Sequence, residues 1–130
     1  MRLRRRFAIF DLDGTLVDSL PDLLRALNTL LAENGRHALE TDDVRMMVGD
    51  GVHKLVERGF EATGAAAGEQ LDALAGRFVQ LYEGHTIDHS RPFPGAGQAL
   101  RDLTAAGWQL AVCTNKPYQA SMEMLDGLGL

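Results

Sequence analysis

Two aspartates one residue apart, Asp11 and Asp13, are the residues of this sequence best suited to chemistry. They follow a short apolar run, Phe7 to Phe10, and Gly14 comes directly after them. Side chains alternate along a strand, so residues 11 and 13 leave its end pointing the same way and can share one small polar site. Mg2+ takes oxygen ligands, with one or two carboxylates completed by water and substrate phosphate. The pair therefore predicts a Mg2+ site at Asp11 and Asp13.

Two carboxylates beside a metal ion suit phosphoryl transfer. One carboxylate can attack phosphorus as a nucleophile, and the other can move protons as a general acid and base. Gly14 allows a tight turn and can expose backbone amides to an anion. The simpler alternative is a solvated turn, because Asp and Gly are common turn residues. Chance placement of the longer string through Thr15 is on the order of one in a few hundred for a chain of this size.

The elements that must position these residues are typical of an α/β fold. Four apolar residues with aromatic and β-branched members predict a strand buried on both faces, as in a parallel sheet covered by helices. Ligands of such sheets bind beyond the carboxyl ends of the strands, where Asp11 and Asp13 would lie. A second strand is predicted from Trp108 to Thr114, with Asn115 following it. It is flanked by predicted helices that end at Gly107 and begin near Tyr118.

Apolar residues recur at helical spacing between the two strands. One set runs from Leu20 to Leu31 and another from Leu71 to Tyr82, and each predicts an amphipathic helix. Ser19 is expected to cap the first of these helices. Thr41 is expected to cap a short helix through Met47, and residues 52 to 62 are expected to form another.

These helices predict a bundle inserted into the α/β fold. The bundle would span residues 18–89, and an incomplete, Rossmann-like core with a parallel sheet would be made from residues 1–17 and 90–130. Closing a helical cap over the acidic strand end would exclude water and position a substrate. Opening it would release the product.

The helical cap also supplies candidates for substrate selection. Gly49 and Gly51 flank Asp50 at a predicted helix junction, so backbone amides there are candidates for contact with a small anion. Lys54 and Arg58 follow one and two turns later and are candidates for contact with a carboxylate. Charge on a solvated helix face is the simpler interpretation of both.

Other reactive residue types have simpler explanations. His85 and His89 stand four apart, but no further His or Cys completes a zinc set, so we expect surface residues. Ser19 has no surrounding glycine elbow and is explained by helix capping. Cys113 lies in an apolar run and is predicted to be a buried strand residue.

Composition narrows the class of protein. The 130 residues are 45% hydrophobic and 24% charged, which is ordinary for a soluble globular protein with one modest core. The net charge of −5 argues against nucleic acid or acidic membranes as partners. The apolar run after the basic start is too short for a secretory signal, and a single cysteine fits a cytoplasmic location. Oligomeric state is left open.

Two longer strings resemble a known superfamily. Phe-Asp-Leu-Asp-Gly-Thr-Leu-Val-Asp-Ser at residues 10–19 resembles the first motif of the haloacid dehalogenase superfamily of phosphatases. Leu-Ala-Val-Cys-Thr-Asn at residues 110–115 resembles the second. Within the superfamily, Val-Gly-Asp-Gly at 48–51, Pro-Phe-Pro-Gly at 92–95 and Thr-Asn-Lys-Pro at 114–117 are most similar to bacterial phosphoglycolate phosphatases.

The resemblance implies a role for each matching residue. Asp11 is the expected nucleophile, which becomes aspartyl phosphate and binds Mg2+. Asp13 is expected to protonate the leaving alkoxide and then activate water, with its backbone carbonyl in the metal shell. Gly14, Thr114 and Asn115 are expected to hold the phosphate. The implied substrate is 2-phosphoglycolate, with other small phosphorylated acids or sugars left open.

The sequence departs from the superfamily at its end. A later lysine that steadies the nucleophile and a later acidic pair for magnesium do not occur before Leu130. Lys116 directly follows the second motif and is not expected to replace that lysine. The chain is therefore also open to interpretation as a catalytically incomplete module that binds magnesium or phosphate weakly, or as a folding fragment. A signalling receiver domain is a further alternative, against which the large helical insertion argues.

Overall fold

The computed structural model describes residues 4–130 as four strands and six α-helices. In chain order they are β1 Arg6–Phe10, β2 Val17–Asp18, α1 Leu20–Glu33, α2 Thr41–Arg45, α3 Val52–Thr63, a 3-10 turn Gly68–Gln70, α4 Leu71–Tyr82, β3 Arg91–Pro92, α5 Ala96–Ala105, β4 Trp108–Val112 and α6 Tyr118–Leu128. None of the helices in this range reaches the length and hydropathy that a membrane crossing requires.

The central pair of strands is parallel. β1 and β4 run side by side, with Phe7 opposite Gln109 and Phe10 opposite Val112. The Cys113 N–H then donates to the Phe10 carbonyl at 2.8 Å. Since parallel strands end at the same edge, the residues after β1 and after β4 are brought together. The predicted α/β fold class is confirmed.

The prediction that the strands are buried on both faces is wrong. Phe7 is 60% exposed and Ile9 is 70% exposed, and the predicted burial of Cys113 is also contradicted. The α5 helix contacts β4, and Phe10 packs against a buried cluster that includes Met124 of α6. Within residues 4–130, no element covers the face that carries Phe7 and Ile9. A parallel sheet is normally covered by helices on both faces, and residues 4–130 supply them on one face only.

The helices α1 to α4, hereafter the helical bundle, share one apolar core. Both predicted amphipathic helices are confirmed as α1 and α4. Their inward faces meet those of α2 and α3 around side chains that are almost completely buried, which include Leu27, Leu30, Val44, Val56 and Phe78. The packing of these faces, more than helix propensity, stabilises helices of this length.

The helix starts differ in detail from the predictions. Ser19 precedes α1 as expected, but its side chain makes no capping hydrogen bond. Thr41 is the first residue of α2 rather than its cap, so that prediction is wrong. Glu40 holds the cap position, and the Glu40 N–H donates to the Asp43 carboxylate at 2.9 Å in a reciprocal capping box. Two reciprocal side-chain bonds satisfy more free N–H groups than a lone Thr hydroxyl could.

Two segments connect the helical bundle to the rest of the fold, and they pair with each other. The first carries β2 and runs from β1 to α1, and the second, the return segment, carries β3 and runs from α4 to α5. β2 and β3 pair antiparallel, one from each segment. Asp22, fully buried in the first turn of α1, accepts hydrogen bonds from the His89 N–H at 2.9 Å and the Ser90 N–H at 2.8 Å. The Ser90 hydroxyl adds a third at 2.6 Å. Domain boundaries beside residues 17 and 90 stay a prediction.

Replacing Phe78 by Ala is expected to destabilise the helical bundle strongly. Phe78 is 0% exposed, and a buried Phe→Ala change typically costs about 3–5 kcal/mol of unfolding free energy because it leaves a cavity. Urea unfolding of the protein that carries this chain measures the change. Tyr118→Ala, on a side chain that is 77% exposed, is the control and should cost about 0.5 kcal/mol or less. A loss below about 1 kcal/mol at Phe78 would contradict its place in the core.

Candidate active site

The candidate site is a cleft between the carboxyl ends of β1 and β4 and the helical bundle. Its cavity volume is about 30 Å³, which is room for about one or two water molecules. The lining includes six residues predicted from the sequence, namely Asp11, Asp13, Gly49, Gly51, Thr114 and Asn115. The remaining lining residues include Leu23, Val48, Val52, Leu55, Phe78, Tyr82, Lys116 and Pro117.

Asp11 lies directly after β1 with an exposed carboxylate. One of its oxygens, Oδ1, accepts a hydrogen bond from the Leu12 N–H at 2.7 Å. The other oxygen has no hydrogen-bond partner among the residues that the structure describes. One oxygen is thus anchored by backbone while the other is open, an arrangement that suits both nucleophilic attack and metal binding.

Asp13 is held by a buried lysine. Its side chain is 12% exposed, and that of Lys116 is 2% exposed. The Lys116 Nζ donates to Asp13 Oδ1 at 3.0 Å and to Oδ2 at 3.3 Å. It also donates to the Tyr82 hydroxyl oxygen at 2.5 Å and lies 4.3 Å from the centre of that ring. Lys116 therefore connects an acidic residue after β1 with the last residue of α4.

Burial dominates the electrostatics of this cluster. It lowers the pKa of the Lys116 ammonium, and the nearby Asp13 carboxylate opposes that shift. Burial also raises the pKa of Tyr82, and the charge of Asp13 adds to the increase. Tyr82 is consequently a neutral phenol at physiological pH, able to accept a hydrogen bond from Lys116 while it keeps its own proton.

Thr114 and Asn115 follow β4 at the same sheet edge. The Thr114 Oγ1 accepts the Lys116 backbone N–H at 3.1 Å, which leaves the hydroxyl proton free to donate to a ligand. The Asn115 side-chain amide donates to the Gly49 carbonyl at 2.9 Å. A Cβ at Gly51 would lie 3.3 Å from the Asn115 carbonyl oxygen, and Gly51 has φ +89°. Gly51 thus lets the start of α3 approach the residues after β4 closely.

Gly14 and Lys54 lie outside the cleft. Gly14 has φ +78°, and its N–H donates to the Val17 carbonyl at 2.9 Å. Phosphate binding through this amide stays a prediction that requires the hydrogen bond to open. Lys54 is exposed on α3 and pairs with Glu57 at 3.4 Å, in agreement with a solvated helix face. Contact of Lys54 with substrate likewise stays a prediction.

The donor set at the strand end fits part of a Mg2+ shell. Within residues 4–130, no three His, Cys, Asp or Glu side chains converge on one point. Mg2+ keeps several waters and often uses only one or two carboxylates, so a small donor set is compatible with it. The open oxygen of Asp11 is the best-placed donor. The Asp13 backbone carbonyl is the second candidate, because Lys116 occupies the carboxylate of that residue.

Sequence reasoning missed the Lys116–Tyr82 link. The position of Lys116, two residues after Thr114 at the shared sheet edge, was a usable signal for its place in the cleft. Tyr82 carried no such signal, because it fits the apolar repeat of α4 and lies 34 residues away. The predicted surface positions of His85 and His89 are confirmed, and His85 pairs with Asp88 at 2.8 Å.

Two curated proteins that are similar to this chain carry the same name. A phosphoglycolate phosphatase from Caulobacter vibrioides is 51% identical over 122 residues, which are 93% of this chain and 52% of that protein. A phosphoglycolate phosphatase from a strain of Cereibacter sphaeroides is 40% identical over 123 residues, 94% of this chain and 56% of the relative. The chain thus spans about half the length of the curated relatives that it matches.

Solved structures give the same picture of the fold. A predicted phosphoglycolate phosphatase from Haemophilus somnus superposes with a TM-score of 0.87 at 29% identity, covering 96% of this chain and 57% of that one. A predicted phosphatase from Clostridium acetobutylicum, 20% identical, gives 0.81 over 95% of this chain and 55% of that one. The model of the haloacid dehalogenase-like hydrolases matches residues 8–130. The resemblance in the motifs is confirmed, and the chain belongs to the haloacid dehalogenase-like hydrolase family.

Proposed function

We propose that the protein carrying this chain is a magnesium-dependent phosphomonoester hydrolase that works through an aspartyl phosphate on Asp11. The proposed substrate is 2-phosphoglycolate, and the products are glycolate and phosphate. The observation that supports this most is the meeting of Asp11, Asp13 and Thr114 in one cleft. The names of the relatives support the substrate, and a cytoplasmic location is part of the proposal.

The first chemical step transfers the phosphoryl group to the protein. The open carboxylate oxygen of Asp11 attacks phosphorus, and the bond between phosphorus and the glycolate oxygen breaks. Asp13, in its protonated form, donates a proton to that leaving oxygen. The Thr114 hydroxyl donates a hydrogen bond to a phosphoryl oxygen. The open oxygen of Asp11 would hold Mg2+, which would offset the negative charge of the phosphate and of Asp11.

The second step releases phosphate. Water attacks phosphorus in the aspartyl phosphate, and the bond between phosphorus and the Asp11 oxygen breaks. Asp13, now a carboxylate, takes the proton of the attacking water. Asp11 and the protonated Asp13 are thereby restored for the next cycle.

The helical bundle controls access to these steps. The cleft is narrow, with a volume of about 30 Å³, and Asp11 in it is exposed, so we expect the bundle to swing and widen the cleft when a phosphate ester binds. Its return would exclude bulk water from the phosphoryl group until the first step is complete.

Phosphate release from 2-phosphoglycolate tests the proposal. The full-length protein is expected to release phosphate, to stop when EDTA removes divalent metal, and to recover when Mg2+ is restored, because the open oxygen of Asp11 supplies a metal ligand. Other phosphomonoesters serve as substrate controls. Release that continues unchanged in EDTA would contradict the metal dependence, and no release from any phosphomonoester would overturn the proposed activity.

The second candidate is that residues 1–130 by themselves form an incomplete module. Two observations favour it: the chain spans about half of its relatives, and no third acidic ligand converges on Asp11 and Asp13 within the described range. The chain alone is then expected to release no phosphate under conditions in which the full-length protein does. Release by the chain alone at a rate near that of the full-length protein would exclude this candidate.

A further inference from the structure

We propose that Lys116 is a positioning residue for Asp13, and that the helical bundle anchors Lys116 through the Tyr82 hydroxyl. On this inference, Asp13 is held in place for proton transfer only while the Tyr82 hydroxyl of the bundle contacts Lys116. The inference rests on the proposed function, because it takes Asp13 as the acid and base of that reaction.

The hydrogen bonds of Lys116 are complete without solvent. A lysine ammonium has three donors, and its partners are the two oxygens of Asp13 and the hydroxyl of Tyr82. The Lys116 side chain is 2% exposed, so a lost partner is not easily replaced by water. Leaving a buried donor unpaired is costly. The three bonds therefore restrict the carboxylate of Asp13 to a narrow range of positions.

Tyr82 belongs to the helical bundle and moves with it. Its side chain is almost completely buried in the bundle core, and its ring stacks on Phe78 with 5.6 Å between centres. The hydroxyl at the tip of this ring is the point at which the bundle contacts Lys116. The neighbouring Asn115 makes a second contact with the bundle, through the Gly49 carbonyl. Two consecutive residues after Thr114 thus bind the bundle at two places.

Opening of the cleft must disturb this arrangement. The cleft is narrow, with a volume of about 30 Å³, and a swing of the bundle that widens it for a phosphate ester would move Tyr82 away from Lys116. Lys116 then loses the Tyr82 oxygen, and Asp13 loses a fully anchored partner. Closure restores the three bonds. In the closed state Asp13 would therefore be held where it can transfer a proton, with one of its oxygens released from Lys116 while the carboxyl group is protonated. In the open state Asp13 would not be held there.

The first test compares leaving groups in the full-length protein. Glycolate needs a proton as it leaves, whereas p-nitrophenolate does not. Lys116→Met is expected to lower kcat for 2-phosphoglycolate by about 30-fold or more, with KM changed by about threefold at most. Phosphoenzyme formation from p-nitrophenyl phosphate, measured as the initial burst, should change by about threefold at most. Lys116→Arg should restore part of kcat.

Matched variants keep this test decisive. Tyr82→Phe removes only the hydroxyl and should lower kcat for 2-phosphoglycolate by about fivefold. Tyr118→Phe, on an exposed ring, is its control and should leave kcat unchanged. An unchanged kcat in both Lys116→Met and Tyr82→Phe would overturn the inference. Equal losses in phosphoenzyme formation from both substrates would also overturn it, because a general structural defect has that signature. If Lys116→Met does not fold, Tyr82→Phe decides.

The second test does not depend on activity. The sequence holds two lysines, Lys54 with a side chain 56% exposed and Lys116 with one 2% exposed. Brief acetylation followed by mass spectrometry should modify Lys54 readily and Lys116 slowly in the full-length protein. Tyr82→Phe should speed modification of Lys116 by about threefold or more, with Lys54 unchanged.

The labelling result separates the two proposals. Equal rates at Lys54 and Lys116 in the unsubstituted protein would overturn the buried arrangement, and no effect of Tyr82→Phe would overturn the tyrosine anchor. If the protein releases no phosphate but shows the expected labelling, the anchor stands while the proposed function and the role of Asp13 fail.

Discussion

Asp11→Asn is expected to abolish phosphoenzyme formation and to lower phosphate release by about 10⁴-fold or more. An amide is a poor nucleophile, and the change also removes the negative charge at the best-placed metal donor. Rapid acid quenching with substrate labelled in the phosphoryl group measures the protein-bound phosphate. The Asp11 side chain is exposed, and Asn has the same shape as Asp, so the substitution should leave folding unaffected.

Asp18→Asn is the matched control for this change. Asp18 is an exposed aspartate in the same motif and does not line the cleft with Asp11. Its substitution should leave phosphoenzyme formation within about twofold of the unsubstituted protein. Protein-bound phosphate that persists in Asp11→Asn would remove Asp11 as the nucleophile.

Asp13→Asn is expected to produce a different defect. Asp11 remains, so p-nitrophenyl phosphate should still form the phosphoenzyme, because p-nitrophenolate leaves without a proton. Turnover of 2-phosphoglycolate should fall by about 10²- to 10⁴-fold, the usual range for loss of general acid–base catalysis. The phosphoenzyme should also persist longer, because no carboxylate takes the proton of the attacking water.

Steady-state rates with both substrates and single-turnover decay of the phosphoenzyme measure the Asp13 effect. Thermal unfolding of the variant is the control, since Lys116 loses its charged partner in Asp13→Asn. Unchanged turnover of 2-phosphoglycolate in a folded variant would remove Asp13 from the acid–base role. Equal losses with both substrates would indicate a general defect of the cleft instead.

The sequence carried enough information to bring the central residues together. Asp11 and Thr114 each follow an apolar run, and parallel strands end at one edge, so their meeting in the cleft follows from local pattern plus one rule of sheet geometry. Burial was not predictable in the same way. Ile9 is exposed because burial of a strand depends on what packs against it, and its own residues do not determine that.

Hydrogen bonds made by the polar groups at the ends of side chains were the least predictable from the sequence. Tyr82 fits the apolar stripe of α4 and is buried accordingly, but the partner of its hydroxyl depends on where the end of α4 lies relative to Lys116, which follows β4. The start of α2 shows the same limitation on a smaller scale. Thr41 and Glu40 are both capable of capping, and the reciprocal bond with Asp43 favours Glu40. Such choices between neighbouring donors and acceptors depend on three-dimensional detail that spacing does not encode.

The pairing of β2 with β3 has a mechanical consequence. The two connecting segments pair through β2 and β3, and Asp22 at the start of α1 accepts a hydrogen bond from Ser90 in the return segment. The helical bundle is therefore attached to the rest of the fold at one hinge and not at two separate points. A single hinge lets the helical bundle rotate about one axis, whereas two independent connections would also let it twist and translate. Each swing would then return Gly49 and Tyr82 to Asn115 and Lys116 in the same register, without a search among alternative docked orientations.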